Sequence, residues 1–163
     1  MQLIILCRDE TLYGVRRITE EARQRRHQVR ILDPYRFLLK VDGDVFTLDF
    51  KGKPFFGGDV FMARLGAGIS EHSLTLIRHF ELAGFLVINS ADALENARDK
   101  LRTAQLLARA GLPVPRTAFS PDPTYLTRAL KAVGGPPVVM KLPRSTQGRG
   151  VMYADSRKEA QSI

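Results

Sequence analysis

A lysine followed by a polar, glycine-containing turn is the part of this sequence best suited to chemistry. Residues 138–140 predict a short buried strand that ends at Lys141, and residues 151–153 predict the returning strand of a hairpin. The turn between them contains Ser145, Thr146, Gln147, Gly148, Arg149 and Gly150. Its glycines let backbone N–H groups approach an anion, and Lys141, Arg144 and Arg149 add positive charge. The glycines alone favour an ordinary hairpin with a basic tip, but the lysine before the turn indicates a flap that holds a polyphosphate.

A second glycine-containing turn, with Gly66 and Gly68, lies between a predicted strand at 59–65 and a predicted helix at 70–83. It misses the dinucleotide fingerprint because Glu71 stands where the third glycine is needed, so we exclude a nicotinamide site. Arg64 and the N–H groups of the helix start converge on Gly66 and Gly68, which could bind the carboxylate of an acid substrate. A tight turn without a ligand is the alternative, and the sequence alone favours it.

Other catalytic and metal-binding patterns are missing from the sequence. No Walker-type phosphate loop occurs, and His27, His72 and His79 are not spaced with cysteines or carboxylates as zinc ligands are. We expect Ser70 on a helix surface rather than in a nucleophile–base pair with a histidine. The sequence therefore predicts no catalytic residue and no metal ligand within the chain.

Composition bounds the class of protein. The 163 residues are 44% hydrophobic and 26% charged, as in ordinary globular domains, and no apolar run is long enough for a membrane span. The single Cys7 excludes an internal disulfide, and no signal peptide is present, so we predict a cytoplasmic protein. A net charge of +8 favours acidic partners such as a nucleotide, a nucleic acid or a carboxylate-rich peptide. A bias toward solvated surface arginine explains the same excess equally well.

The first part of the chain alternates strands with helices. Apolar runs predict core strands at 3–6, 29–32, 59–65 and 85–88. Apolar residues at helical spacing predict helices at 13–26 and 70–83, and residues 46–50 alternate as in a small antiparallel pair. Strand–helix–strand order indicates right-handed parallel crossovers, so residues 1–89 predict an α/β domain with a parallel sheet.

The second part has a different organisation. Residues 90–116 are helix-forming, with Ser90 and Asp99 as caps, and predict a helical linker. Residues 117–163 predict a strand at 117–119, a helix that begins at Asp122 and Pro123, and then the hairpin. Ser156 and Glu159 form a capping box for a last helix of barely two turns. A helix that short is marginal without further packing, so we expect the remainder of this second domain to be absent from the chain.

Three stretches together carry a resemblance to a known family. These are residues 89–107, with Asp99 and Lys100, residues 111–117, and the hairpin with its turn at 138–151. With the opening at 8–13 and the turn after Arg64, they resemble the ATP-grasp ligases, and within them the RimK-type ribosomal-protein glutamate ligases. The resemblance runs from Leu3 to the last residue, and its motifs are specific in combination rather than singly.

The resemblance implies an architecture and a site. It implies a pre-ATP-grasp parallel-sheet α/β domain, followed by the first α+β lobe of an ATP-grasp domain. Lys100 and Lys141 match the lysines that contact phosphate in the family, and residues 145–150 match the flap over the triphosphate. The family uses ATP and Mg²⁺, but the adenine hinge and the magnesium ligands are expected beyond residue 163, so the C-terminal lobe is expected to be absent.

The resemblance also implies a reaction. Family members make an acyl phosphate from a carboxylate and ATP, and an amine then attacks it to form an amide; here glutamate would be added to an acidic protein or peptide acceptor. Without the second lobe we expect the chain to be inactive alone, and a homo-oligomer is possible. The alternative is a non-catalytic nucleotide-responsive or protein-binding module derived from the same fold. Specific nucleic-acid binding is the weakest hypothesis, because the arginines are scattered and lack accompanying aromatic residues.

Overall fold

The chain folds into two compact units, Met1–Leu94 and Glu95–Ile163. The structure is a computed structural model, and it describes residues 1–65, 70–143, 145 and 150–163. The three-segment division at residues 89 and 116 stays a prediction. Within the described residues, no helix is both long and apolar enough to cross a membrane.

The first unit contains a parallel sheet and a small antiparallel sheet. Its elements in chain order are β1 (Gln2–Leu6), α1 (Tyr13–Gln24), β2 (Gln28–Leu32), β3 (Phe37–Asp42), β4 (Val45–Phe50), β5 (Lys53–Pro54), β6 (Val60–Ala63), α2 (Glu71–Leu82), β7 (Leu86–Ile88) and the start of α3 (Ala91–Arg98). The parallel sheet has the strand order β2-β1-β6-β7. The prediction of four parallel core strands is therefore confirmed, although β6 is shorter than the predicted 59–65.

Strand β1 is central because both of its faces are covered. Ile4, Ile5 and Leu6 have no solvent exposure, which explains why their sequence is continuously apolar rather than alternating. Val15 of α1 packs with Ile5 on one side of the sheet. Phe61 and the apolar residues of α2 pack on the other side. The order of strand addition reverses between β1 and β6, because β2 lies on one side of β1 and β7 lies on the far side of β6. The carboxyl ends of β1 and β6 therefore flank the crevice where open parallel sheets bind ligands.

The antiparallel sheet completes the aromatic core of the first unit. Strand β4 pairs with β3 along six residues and with the short β5 at its other edge. The two-residue turn before β5 uses Lys51 and Gly52, both with positive φ, as a tight hairpin requires. His79 of α2 is buried, and its Nε2 lies 2.9 Å from the Thr47 carbonyl oxygen of β4. This contact joins the helix to the small sheet.

The second unit contains a helix followed by a helix–hairpin–helix arrangement. Few of its side chains are buried. Its elements are the end of α3, α4 (Lys100–Arg109), a 3₁₀ turn (Pro123–Tyr125), α5 (Leu126–Val133), β8 (Val138–Lys141), β9 (Val151–Ala154) and α6 (Arg157–Ser162). Its core consists of Leu130, Ala154 and Ala160, with partly buried apolar neighbours. The fold class expected from the sequence, a parallel α/β domain followed by a small α+β segment, is confirmed.

The predicted strand at 117–119 is wrong. These residues form no strand, and Phe119 is exposed. An extended segment becomes a strand only when a neighbour satisfies its backbone groups. Within the described residues, β8 pairs with β9 alone, so residues 117–119 find no partner. Pro113 and Pro115 disfavour a helical backbone at the residues that precede them, which is why the sequence reads as extended before residue 117.

Candidate functional site

The hairpin predicted from the sequence is present, and it displays Lys141 on its exposed face. Met140 pairs with Met152, and Lys141 pairs with Val151 in the antiparallel ladder. Because side chains alternate in a strand, Lys141 shares one face with exposed Val139 and Tyr153, while the opposite face packs on the helices. The Lys141 ammonium is exposed and forms no hydrogen bond or ion pair with any residue that the structure describes. It is available to a ligand.

Lys100 lies at the turn end of the same hairpin. Its Nζ donates to the Leu142 carbonyl oxygen at 3.1 Å, to the Ser145 carbonyl oxygen at 2.9 Å and to Ser145 Oγ at 2.9 Å. The backbone N–H of Lys100 donates to the Pro143 carbonyl oxygen at 3.2 Å. The structure thus brings together two of the lysines singled out in the sequence, one beside the strand end and the other holding the segment that follows it.

A cap fixes the position of Lys100. Asp99 is the N-cap of α4, and its Oδ1 accepts from the backbone N–H groups of Leu101 and Arg102, each at 3.0 Å. This satisfies two of the N–H groups that a helix start leaves unpaired, and Pro143 satisfies that of Lys100. The first three N–H groups of α4 therefore donate to acceptors within the protein.

The described ends of the predicted flap are closed by backbone contacts. The N–H of Leu142 donates to the Gly150 carbonyl oxygen at 2.9 Å. Gly150 has a φ of 67°, and a Cβ there would lie 2.5 Å from Leu142 Cδ1, so the position favours glycine on both counts. The other predicted flap residues, Thr146, Gln147, Gly148 and Arg149, lie outside the described residues, as does Arg144.

Arg64 lies at the carboxyl end of β6, beside the start of α1. A Cβ built on Gly14 would lie 2.9 Å from Arg64 Nη2, so the guanidinium rests against the backbone of the first turn of α1. Both residues line a depression of about 240 Å³ together with Leu12, Val15, Ala63, Leu65 and Leu94. Among the described residues, no carboxylate pairs with Arg64. Gly66 and Gly68 of the predicted substrate turn lie outside the described residues.

The carboxylates of the described chain are not grouped for metal binding. No group of three or more His, Cys, Asp or Glu residues that could hold a metal ion occurs among the described residues. Asp9 is bound by the N–H and hydroxyl of Thr11, and these hydrogen bonds lower the pKa of its carboxyl group. In the hairpin strand β9, a hydrogen bond with Asp155 raises the pKa of the Tyr153 hydroxyl.

Two contacts of the site were not predicted from the sequence. These are the hydrogen bonds of Lys100 with Leu142 and Ser145, and the packing of Arg64 on Gly14. Part of the information needed for the Lys100 hydrogen bonds is present in the sequence, since the family resemblance marks both Lys100 and Ser145 as residues that contact phosphate. No local sequence pattern indicates that these two residues bind each other. No sequence pattern predicts the contact between Arg64 and Gly14, because a glycine in the first turn of a helix does not by itself indicate a close neighbour.

Comparisons with known proteins agree with the fold. Residues 1–94 match the family model described as "RimK PreATP-grasp domain", and residues 97–163 match "RimK-like ATP-grasp domain". The chain therefore belongs to the RimK family of ATP-grasp proteins, as the resemblance in its sequence indicated. A probable alpha-L-glutamate ligase from Stenotrophomonas maltophilia is 42% identical over all 163 residues, which cover 56% of that protein. The chain thus spans little more than half the length of this relative.

Solved structures show the same fold. A RimK domain ATP-grasp protein from Sphaerobacter thermophilus has a TM-score of 0.72 at 21% identity, with 100% of this chain and 58% of that chain covered. The ATP-grasp ligase PsnB, complexed with a phosphomimetic variant of its minimal precursor, Mg and ADP, has a TM-score of 0.66 at 18% identity, with 99% and 60% covered. At these identities the likenesses establish the fold alone.

Proposed function

We propose that this chain contributes phosphate-binding and substrate-positioning parts to an ATP-dependent carboxylate–amine ligase that adds glutamate to a protein or peptide. One observation carries the proposal: Lys100 binds Leu142 and Ser145, which follow Lys141 at the turn end of the hairpin, and the Lys141 ammonium is exposed and unpaired among the described residues. The match to the RimK-like ATP-grasp model and the relatives named alpha-L-glutamate ligase support the reaction class.

The reaction needs positive charge where Lys141 stands. A substrate carboxylate attacks the γ-phosphorus of ATP, the bond to the β-phosphate oxygen breaks, and ADP leaves with an acyl phosphate formed. The amine then attacks the acyl carbon, phosphate leaves, and the amine loses a proton. In the first step negative charge develops on the oxygens of the transferred phosphoryl group, and a lysine ammonium stabilises this charge. On this proposal Lys141 binds and orients the phosphates.

The face around Lys141 suits an organic polyphosphate rather than inorganic phosphate. Val139, Val151 and Tyr153 are exposed beside it, with 54%, 41% and 62% of their surface accessible. A nucleotide base placed there removes this apolar area from water while the phosphates reach Lys141. ATP is the nucleotide that the family membership favours. Magnesium would supply further charge, but the described residues offer no ligand group for it, so we assign it no residue here.

Replacing Lys141 tests the nucleotide site. We expect Lys141→Met to weaken ATP binding by about three- to tenfold, because an exposed charge contact contributes roughly 1 kcal/mol. NMR titration of ATP against both proteins measures the change. The matched control is Lys131→Met, which removes an exposed lysine from the last turn of α5 and is expected to leave the affinity unchanged. Equal losses in the two variants would mean that ATP responds to net charge only, which would contradict a specific site.

The depression beside Arg64 is proposed as the acid-substrate site. In a ligase that contains this chain, Arg64→Ala is expected to raise the KM for the carboxylate substrate by about tenfold or more, because a charge-assisted hydrogen bond contributes about 1.5–3 kcal/mol. ATP affinity is expected to change little, since Arg64 and Lys141 belong to different units. Steady-state kinetics with each substrate varied in turn measures both effects.

Gly14→Ala tests whether Arg64 acts in binding the carboxylate substrate or only in stabilising the fold. The added Cβ must displace the guanidinium, so the KM for the carboxylate should rise. Alanine is also the better helix former, so the thermal midpoint should stay level or increase. A lower midpoint together with equal losses for both substrates would point to a folding defect and contradict the proposed site.

A further inference from the structure

We propose that Arg8 is a specificity-determining residue of the acid-substrate site, where its guanidinium binds a second anionic group of the acid that Arg64 holds. The substrate class is then a dicarboxylate, such as a peptide that ends in an acidic residue, rather than an acid with one carboxylate. This inference rests on the role proposed above for Arg64. It extends that role by naming the second group of the acid and the residue that recognises it.

Arg8 and Arg64 follow the ends of two neighbouring strands of the parallel sheet. Leu6 of β1 pairs with Ala63 of β6, and the N–H of Arg64 donates to the Leu6 carbonyl oxygen at 3.0 Å. Arg8 follows Leu6 closely along the chain, so the Cα atoms of the two arginines lie within about 14 Å of each other. Both arginines are exposed. Two guanidinium groups are therefore present at the edge where open parallel sheets bind ligands.

The two arginines lie on opposite sides of that edge. The guanidinium of Arg64 rests against Gly14 of α1. The guanidinium of Arg8 lies over the ring of Tyr35, with 5.0 Å between its Cζ and the ring centroid, and the Tyr35 ring contacts His72 of α2. Because α1 and α2 cover opposite faces of the sheet, the arginines bracket the crevice and do not compete for one position.

Tyr35 is a well-anchored platform for Arg8. The N–H of Tyr35 donates to Asp33 Oδ1 at 3.0 Å, and its hydroxyl lies 3.3 Å from Ser70 Oγ. Its ring centroid lies 5.0 Å from that of His72. An arginine that contacts an aromatic face is oriented through its flat surface, and Arg8 forms no hydrogen bond with another side chain among the described residues. Tyr35 therefore orients Arg8 while the N–H donors stay available to a ligand.

The described part of the chain supplies no anion to either guanidinium. Asp9, the residue after Arg8, accepts hydrogen bonds within its own loop, and neither Arg8 nor Arg64 forms an ion pair with a described residue. The depression beside Arg64 has walls formed largely by apolar side chains, among them Leu12 and Ala63. Such walls suit the methylene groups that separate the carboxylates of a diacid. An acid with one carboxylate would leave the donors of Arg8 to water.

Titration of the chain with two small acids tests the inference. Glutarate has two carboxylates, and glutarate monoamide has nearly the same shape with one carboxylate replaced by a neutral amide. We expect Arg8→Gln to weaken glutarate binding by about three- to tenfold, the effect of one exposed charge contact, and to change monoamide binding by less than about twofold. Arg64→Gln is expected to weaken the binding of both acids by about three- to tenfold, because each places a carboxylate there. NMR titration measures the dissociation constants.

Arg23→Gln is the matched control. Arg23 is an exposed arginine in the last turn of α1, at the opposite end of that helix from Gly14, so its replacement should leave both affinities unchanged. An equal loss of glutarate affinity in Arg8→Gln and Arg23→Gln would mean that glutarate responds to net charge only. An equal loss of both acids in Arg8→Gln would mean that Arg8 does not distinguish a second anionic group. Either result overturns the inference.

Failure of the inference and failure of the proposed function give different results. If Arg64→Gln leaves both dissociation constants unchanged, the acid-substrate site beside Arg64 is wrong, and the inference falls with it. If Arg64→Gln weakens the binding of both acids while Arg8→Gln changes neither, the acid-substrate site stands and Arg8 is not part of it.

Discussion

Phe80→Ala is expected to lower the free energy of unfolding of the first unit by about 3–5 kcal/mol, the range for truncating a fully buried aromatic side chain. Phe80 has no solvent exposure. Its ring centroid lies 4.3 Å from that of Phe61, 5.3 Å from that of Phe37 and 5.7 Å from that of Phe85. The substitution removes aromatic contacts to both sheets at once and leaves a cavity that several large rings cannot fill.

Phe56→Ala is the matched control. Phe56 is 88% exposed, so its removal is expected to change the free energy of unfolding by no more than about 0.5 kcal/mol. Urea denaturation of the native chain and of the two variants, followed by circular dichroism, measures both effects. The dependence of the unfolding free energy on urea concentration should be the same for all three proteins. Similar values for the two variants would contradict the assignment of the aromatic cluster as the core of the first unit.

The 163-residue chain by itself is expected to bind ATP with a Kd of about 1 mM or weaker and to form no amide. Lys141 is exposed, so its contact with phosphate is modest and screened by salt. The donors of Lys100 are occupied by the protein. Calorimetry and an ADP-release assay measure affinity and turnover.

Salt dependence separates this prediction from its alternatives. Raising the ionic strength from about 0.05 to 0.5 M should weaken the binding several-fold, since the Debye length falls well below the size of the site. The affinities for ATP and GTP should be similar if the phosphates dominate. Micromolar, magnesium-dependent binding of ATP, or turnover that Lys141→Met abolishes, would show that the chain holds a complete site by itself or in an oligomer.

Much of the local structure follows from the sequence alone. The continuous apolar run at Ile4 and Ile5 predicts a strand covered on both faces, and burial there is complete. Caps such as Asp99 and Ser156 predict where helices begin, and both side chains accept the expected N–H bonds. These features are local: periodicity and capping depend on residues within a few positions of one another. The family motifs were recognisable for the same reason, and the family models confirm them.

The tertiary structure alone decided which polar groups meet. Lys100 and Ser145 are 45 residues apart, and each has a polar side chain that would be equally well satisfied by water or by a phosphate. Arg64 finds the backbone at Gly14 only because the carboxyl end of β6 lies beside the start of α1. The predicted strand at 117–119 failed for the converse reason, since a strand needs a neighbour that no local pattern can supply. Long-range hydrogen bonds depend on which elements the packed core brings together, and the sequence of either partner does not encode that choice by itself.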